Sequence, residues 1–177
     1  MQQDWQCLAV RLGTHLFEEP IATQNHTKIS DIHNYEQMAD WLGTSGQPKR
    51  QEFDAIAGAG FNVVINLALA TSDNALVDEA NIVTGLNMAY IHIPVEMDNP
   101  TIDHLKDFFS AMKQHDGQKM WVHCFVNARV LAFVYHYLRY EKGASVEAAT
   151  SRILEKWQPI MDDPWQKFME IPKEALG

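Results

Sequence analysis

The stretch that decides the fold of this 177-residue chain is Met120-Trp121-Val122-His123-Cys124-Phe125-Val126-Asn127-Ala128-Arg129. Its apolar start predicts a strand that ends in His-Cys, followed by a turn from Phe125 to Arg129 and then a long apolar helix. This layout places the Cys124 thiol at the bottom of a loop whose backbone N–H groups converge. The N-terminus of the helix adds partial positive charge and Arg129 adds a full charge, so the loop is suited to bind a phosphate-sized anion.

Cys124 is the candidate nucleophile, because the positive field of such a loop favours the thiolate over the thiol. Arg129 would bind two oxygens of the anion with its planar fork of donors. Two ordinary alternatives remain open. Cys124 could be a buried core cysteine, and Arg129 could be a surface ion-pair residue. The position of the arginine at the start of the next helix favours the reactive thiolate.

The loop between Cys124 and Arg129 is predicted to bind the anion together with Arg129, and its residues are Phe125, Val126, Asn127 and Ala128. Asn127 could stiffen this loop through a side-chain-to-backbone bond, or could simply tolerate a left-handed turn position. His123 is predicted to orient the loop rather than to transfer protons. The alternative for His123, a hydrogen-bonded core histidine, is nearly the same prediction.

A proton donor for a leaving oxygen is expected on a loop that follows a strand and precedes Cys124. The segment Val95-Glu96-Met97-Asp98-Asn99-Pro100 fits this place, because it follows a strand that ends at Ile93-Pro94. Glu96 and Asp98 are both candidates, and in an extended loop their side chains would point the same way. Glu96 could instead be a solvated surface carboxylate, and Asp98 a turn or cap residue before Pro100.

Strands and helices alternate from about residue 31 onward. Strands are predicted over 62–67, 88–93 and 119–123, and helices over 48–60, from Ser72 or Asp73 to 84, from Thr101, from Val130 to Gly143, and near 145–157 and 162–171. The helix after Arg129 is apolar all round and is predicted to be buried. This alternation favours an α/β fold with a mostly parallel sheet covered by helices on both faces. Ligands of such sheets bind at the carboxyl ends of the strands, where Cys124 lies.

The domain organisation is predicted to be an N-terminal extension, residues 1–30, packed on a single domain of residues 31–177. Trp5, Leu8, Leu12 and Leu16 of the extension have helix-like spacing, and a polar segment with Pro20 follows them. The first residues are charged and contain no uninterrupted apolar run, so we expect no signal peptide and a cytoplasmic protein.

Composition narrows the range of partners. The net charge is -9, which argues against a broad basic face for nucleic acid or for an anionic membrane. No segment is apolar for long enough to span a bilayer. The seven histidines other than His123 have no ligand-like spacing with cysteine or carboxylate, so neither a metal nor another cofactor is expected. Cys7 and Cys124 are the two cysteines, and a disulfide between them is not expected. The oligomeric state is left open.

Several segments together resemble one small family of bacterial phosphatase-like proteins of unassigned function, related to dual-specificity and tyrosine phosphatases. The segments are Thr44-Ser45-Gly46-Gln47-Pro48, Gly60-Phe61-Asn62-Val63-Val64-Ile65-Asn66-Leu67, Ile93-Pro94-Val95-Glu96, His123-Cys124 with Arg129, and the spacing of Trp157, Pro159, Pro164, Trp165 and Phe168. The resemblance covers roughly residues 31–170. No single motif is decisive, but their order and spacing are fairly specific.

The resemblance implies a phosphatase-type sheet with Cys124 and Arg129 as the loop pair, and with Glu96 at the place of the family's aspartate. The chain departs from better-known phosphatases of this kind in three ways. Their signature is His-Cys-x5-Arg, whereas only four residues separate Cys124 from Arg129 here. The loop also lacks the usual glycine. Val130 and Leu131 stand where a serine or threonine hydroxyl assists the departure of the thiolate.

The leading hypothesis is a cysteine-dependent phosphatase that hydrolyses phosphomonoesters, including phosphotyrosine-like ones, through a phosphocysteine intermediate. Its partner would be a phosphate-bearing protein or small molecule. One rival is rhodanese-like sulfurtransfer with persulfide chemistry at Cys124, because rhodanese loops often have the Cys-x4-Arg length. The other rival is an anion-binding pseudophosphatase with little or no turnover, which the missing hydroxyl favours.

Overall fold

A computed structural model describes residues 27–176, and within this range the chain forms five short strands and seven α-helices. The strands are β1 (Glu36–Ala39), β2 (Leu42–Ser45), β3 (Val63–Asn66), β4 (Ala89–His92) and β5 (Met120–His123). The helices are α1 (Glu52–Gly58), α2 (Glu79–Gly85), α3 (Ile102–Gln114), α4 (Ala128–Tyr140), α5 (Val146–Ala149), α6 (Arg152–Trp157) and α7 (Asp163–Met169). Short 3₁₀ helices cover Ile29–Asp31, Gln158–Ile160 and Lys173–Leu176.

The strands form one sheet in the order β1-β2-β5-β3-β4. Four of them are parallel, and only β1 pairs in the antiparallel direction, with β2. β5 lies in the centre, where Val122 is paired with Thr44 on one side and with Ile65 on the other. The carboxyl ends of β2, β3, β4 and β5 therefore lie along one edge of the sheet, and Cys124 directly follows the central strand.

Alternate residues of the strands point to opposite faces, and each face has its own core. Val63, Ile65 and Val122 pack with α3, α4, α6 and α7, whereas Val64 and Trp121 pack with α1 and α2. Helix α4 is the most deeply buried helix, since its five residues from Val130 to Val134 are all completely buried. The predicted α/β fold, with a mostly parallel sheet covered on both faces, is confirmed.

Two helix boundaries differ from the sequence-based expectation. The helix expected from Ser72 or Asp73 begins only at Glu79, because residues 71–78 form successive turns such as the bond from Ala75 N–H to the Ser72 carbonyl. The single helix expected near 145–157 is divided into α5 and α6. The division arises because Thr150 is extended and Ser151 caps a new helix, its hydroxyl accepting from the Leu154 N–H.

Several predictions concern parts of the chain beyond the described range. Apart from residues 27–30, the N-terminal extension with Cys7 lies outside it, so its packing on the body stays a prediction.

Between residues 27 and 176, no helix is both long and apolar enough to cross a membrane. The same part of the chain contains no group of three or more His, Cys, Asp or Glu side chains that could hold a metal ion.

His136, in the interior of α4, is expected to make the fold sensitive to acid. Its side chain is fully buried, and Nε2 donates to the carbonyl oxygen of Phe168 at 3.0 Å. Burial lowers the pKa of His136 from 6.5 to about 4, although the bond to Phe168 acts in the opposite direction. Between these pH values the unfolded chain binds a proton that the folded chain does not bind, so stability falls as the pH drops through this window.

The free energy of unfolding should therefore decrease by about 3 kcal/mol on account of His136 between neutral pH and about pH 4. His136→Gln keeps an N–H donor for the Phe168 carbonyl but does not titrate, so its stability should decrease less over the same window. Urea unfolding at a series of pH values measures both proteins. Equal pH dependence in the two would contradict the role given to His136.

Candidate active site

Cys124 lies at the carboxyl end of the central strand. Its backbone N–H donates to the Ser45 carbonyl at 3.3 Å, which ties the first residue after β5 to the end of β2. The side chain is a free thiol with only 1% of the residue exposed. The thiol is therefore placed at the base of the loop and belongs to the main hydrophobic core, which also contains Val130 and Leu131.

Arg129 occupies the first turn of α4 and is 6% exposed. Its Nη1 donates to two backbone carbonyls, that of Leu67 at 3.2 Å and that of Val95 at 2.5 Å. Among the described residues it forms no ion pair, so the surface ion-pair alternative does not describe its environment. Both of its hydrogen bonds within residues 27–176 come from Nη1, which leaves Nη2 and Nε as the donors available to an anion.

The loop between Cys124 and Arg129 is fixed from outside by the segment around β1 and β2. Asn127 has a left-handed backbone with φ of 75°, and its buried Nδ2 donates to the Asn34 carbonyl at 2.7 Å and to Thr44 Oγ1 at 3.0 Å. Asn34 returns a bond to the Val126 carbonyl at 2.9 Å. Asparagine tolerates this backbone conformation better than most residues do, which explains why the loop can lack glycine.

The backbone donors of this loop are available to a ligand. In the described part of the chain, no backbone carbonyl accepts from the N–H groups of Phe125, Val126, Ala128 or Arg129. The Phe125 carbonyl, in contrast, accepts from the Gln47 N–H at 3.2 Å. The side chains of Phe125 and Val126 are 38% and 39% exposed, so they border the loop on its solvent side. Such a set of N–H groups beside a guanidinium can bind an oxyanion.

Glu79, which the sequence analysis did not single out, accepts hydrogen bonds from three buried side chains at the carboxyl ends of the strands. It accepts from His123 Nε2 at 3.0 Å and from Asn66 Nδ2 at 2.9 Å, both at Oε1, and from Gln47 Nε2 at Oε2. All four side chains are more than nine-tenths buried. Gln47, Asn66 and His123 each lie at or just after the end of a buried strand. Buried polar side chains need hydrogen-bond partners, so these three buried donors predict a shared buried acceptor. This requirement is the signal that could have revealed Glu79.

The pKa of Glu79 reflects opposing effects. Burial alone raises it, but the hydrogen bond and the charge of His123, together with bonds from Gln47 and Tyr90, outweigh burial and hold the pKa below its ordinary value. Glu79 is therefore an anionic acceptor at neutral pH. His123 donates its Nε2 proton to it, and this bond fixes the imidazole ring under the loop.

Glu96 and Asp98 lie on the loop after β4, and both side chains are exposed. The loop is not extended, because Met97 and Asp98 form a turn in which the Asn99 N–H donates to the Glu96 carbonyl at 3.4 Å. Glu96 directly follows Val95, the residue whose carbonyl binds Arg129. Asp98 instead borders a surface depression of about 420 Å³, which is otherwise lined by Asn99, Pro100, Asp163, Pro164, Lys167, Phe168 and Ile171.

Comparison with known proteins relates this arrangement to phosphatases. Residues 19–162 match the family model described as a DSP-PTPase phosphatase fused to NAD+ kinase. A crystal structure of a DUF442 protein from Shewanella putrefaciens CN-32 is 33% identical, with a TM-score of 0.72 over 80% of this chain and 92% of that chain. No curated protein sequence matches the chain significantly.

Two more distant structures share the fold. Pseudomonas aeruginosa TpbA is 16% identical, with a TM-score of 0.61 over 81% of this chain and 88% of its own. The core catalytic domain of the Saccharomyces cerevisiae PP-IP phosphatase SIW14 is 11% identical, with a TM-score of 0.66 over 82% and 89% of the two chains. Both structures support the fold of the sheet and its helices.

Proposed function

The chain belongs to the family of DSP-PTPase phosphatases fused to NAD+ kinase, and from this premise we propose that it is a cysteine-dependent phosphatase acting on phosphomonoesters. The observation that carries the proposal is a four-residue loop at the carboxyl edge of the sheet, with Cys124 before it, Arg129 after it and backbone N–H groups that donate to no described backbone carbonyl. A thiol, a guanidinium and free backbone amides on one loop are the groups that covalent phosphoryl transfer requires.

In the first step the Cys124 thiolate attacks phosphorus in line with the ester oxygen. The S–P bond forms as the P–O ester bond breaks, and Glu96 gives its proton to the leaving oxygen. In the second step the Glu96 carboxylate takes a proton from water, the water oxygen attacks phosphorus, and the S–P bond breaks to restore the thiolate. Arg129 and the loop N–H groups stabilise the charge on the equatorial oxygens in both steps.

The surroundings of the loop favour a substrate with one phosphate and an apolar remainder. Phe125, Val126 and Met97 are exposed apolar side chains on the two loops that carry Cys124 and Glu96. The segments 67–79 and 93–101, which follow β3 and β4, contain acidic residues but neither lysine nor arginine. This charge pattern disfavours polyphosphorylated substrates and suits an aryl phosphate such as phosphotyrosine. The related structure of TpbA was solved with phosphotyrosine, which supports the same choice.

We favour Glu96 over Asp98 as the proton donor, because Glu96 adjoins the Val95 carbonyl that binds Arg129. Glu96→Gln should slow phenyl phosphate hydrolysis by roughly 10²-fold, since phenolate is a poor leaving group, and should slow 4-nitrophenyl phosphate hydrolysis much less. Asp98→Asn is the matched control, because it makes the same chemical change two residues away on the same exposed loop. It should change both rates little.

Steady-state rates of phosphate release for the three proteins measure these effects. Equal, small effects of both variants on both substrates would reject the assignment of Glu96. A thiosulfate sulfurtransfer assay on the same proteins tests the rhodanese-like alternative, whose loop length this chain shares. Sulfur transfer at a rate above that of phosphate release would reject the phosphatase proposal.

A further inference from the structure

The loop that carries Glu96 is held at two backbone oxygens, one on each side of this residue. Arg129 Nη1 donates to the Val95 carbonyl at 2.5 Å, and Trp165 Nε1 donates to the Met97 carbonyl at 2.7 Å. Trp165 belongs to α7, so it reaches this loop from 68 residues further along the chain. The two bonds fix the backbone on both sides of an exposed carboxylate.

Trp165 is a rigid support. Its side chain is completely buried, and its ring centroid lies 5.1 Å from that of Trp157 and 5.3 Å from that of Phe168. Its backbone N–H also takes part in the N-terminal cap of α7, donating to Asp162 Oδ1 at 3.4 Å. A buried indole has one N–H donor, and here that donor is directed to Met97. This bond therefore couples the position of the Glu96 loop to the position of α7.

We propose that Trp165 is a positioning residue for proton donation by Glu96, an inference that rests on the proposed function. Proton transfer requires the carboxyl group to lie within hydrogen-bond reach of the leaving oxygen, and a displacement of about 1 Å can cost roughly 10²-fold in rate. Arg129 makes the second contact to the loop with the same guanidinium that would bind the phosphate. Arg129 thus fixes the position of Glu96 relative to the phosphate, and Trp165 fixes it relative to the hydrophobic core.

Trp165→Phe removes the N–H but keeps an aromatic ring in the core. It should lower kcat for phenyl phosphate by roughly tenfold and for 4-nitrophenyl phosphate by less than about twofold. Trp157→Phe is the matched control, because Trp157 packs against Trp165 but makes no side-chain hydrogen bond within residues 27–176. It should leave the ratio of the two rates unchanged. Should Trp165→Phe fold poorly, 3-benzothienylalanine at position 165 replaces only the N–H.

A double-mutant cycle separates positioning from general damage. In a Glu96→Gln background, Trp165→Phe should have no further effect on phenyl phosphate, because the group that it positions is already absent. The same loss in both backgrounds, or equal losses for the two substrates, would overturn the proposal. A second readout is independent of activity: hydrogen exchange of the Asn99 amide should accelerate in Trp165→Phe but not in Trp157→Phe, and unchanged exchange would also overturn it.

Failure of this inference is distinguishable from failure of the proposed function. If Cys124→Ser stops phosphate release but Trp165→Phe changes neither exchange nor the ratio of rates, only the role of Trp165 is rejected. If Cys124→Ser keeps full activity, the covalent phosphatase and the role of Trp165 in it are both rejected.

Discussion

Cys124→Ser is expected to abolish phosphate release from 4-nitrophenyl phosphate, lowering kcat by roughly 10³-fold or more. A serine hydroxyl needs a base within hydrogen-bond reach to become a nucleophile, and among residues 27–176 the Cys124 side chain makes no hydrogen bond to an imidazole or a carboxylate. The neighbouring His123 ring is fully buried and donates from Nε2 to Glu79. The substitution changes a single atom in a buried site, so the fold should persist, with thermal unfolding as the check.

Anion binding should survive in Cys124→Ser, because Arg129 and the loop N–H groups supply the attraction. Calorimetric titration with inorganic phosphate should therefore give an affinity no weaker than that of the unmodified protein. Arg129→Met is the complementary variant, since it keeps Cys124 and removes the positive charge. It should lose both phosphate binding and turnover. Full activity of Cys124→Ser would rule out covalent chemistry at this residue.

We expect the proposed phosphocysteine to be directly detectable in the unmodified protein. Val130 is fully buried directly after Arg129, at a position where related loops are expected to carry a hydroxyl that assists departure of the thiolate. Breakdown of the phosphocysteine should therefore be the slow step, and nitrophenolate should appear in a burst before steady turnover. Mass spectrometry after an acid quench should find one phosphoryl group on the peptide that contains Cys124.

The main features of the fold could be predicted because they depend on local sequence. The β-branched run that contains β3 and the apolar all-round pattern of α4 each specify a buried element without reference to the rest of the chain. β1 and β2 were not predicted. Each has four residues, and β2 is Leu-Gly-Thr-Ser, a sequence of weak strand preference whose burial comes from pairing with β5.

The candidate site also has a part that could be predicted from local sequence and a part that depends on long-range contacts. Cys124 and Arg129 flank one short loop and are five positions apart, so the sequence displays their relation directly. Glu79 contacts His123 across 44 residues, and Trp165 contacts Met97 across 68. Neither contact leaves a local pattern, because a glutamate at the start of a helix and a tryptophan in an amphipathic helix are ordinary residues there. Such supports become visible only when the sheet brings the ends of its strands together.

Glu79 should accordingly be the most stability-sensitive polar residue near the loop. Glu79→Leu leaves three buried donors, on His123, Asn66 and Gln47, without their acceptor. Removing one partner from a buried charged network costs about 3–5 kcal/mol of unfolding free energy. Glu79→Gln retains one acceptor oxygen but turns an NH₂ group towards donors, so it should cost less than Glu79→Leu and still more than an exposed substitution.

Glu52→Gln provides the matched control, because Glu52 is also a buried glutamate but lies at the start of α1. It accepts from the Lys49 N–H at 2.7 Å at the start of α1 and has no bond to His123. Its loss should cost about 1 kcal/mol, as for a helix cap, and should leave turnover intact.

Glu79→Gln, in contrast, should lower kcat as well, because His123 and Gln47 both support the Cys124 loop and would lose their common hydrogen-bond acceptor. Urea unfolding and phosphate release on the same samples separate the two effects, and equal behaviour of the Glu52 and Glu79 variants would show that Glu79 has no special relation to the loop.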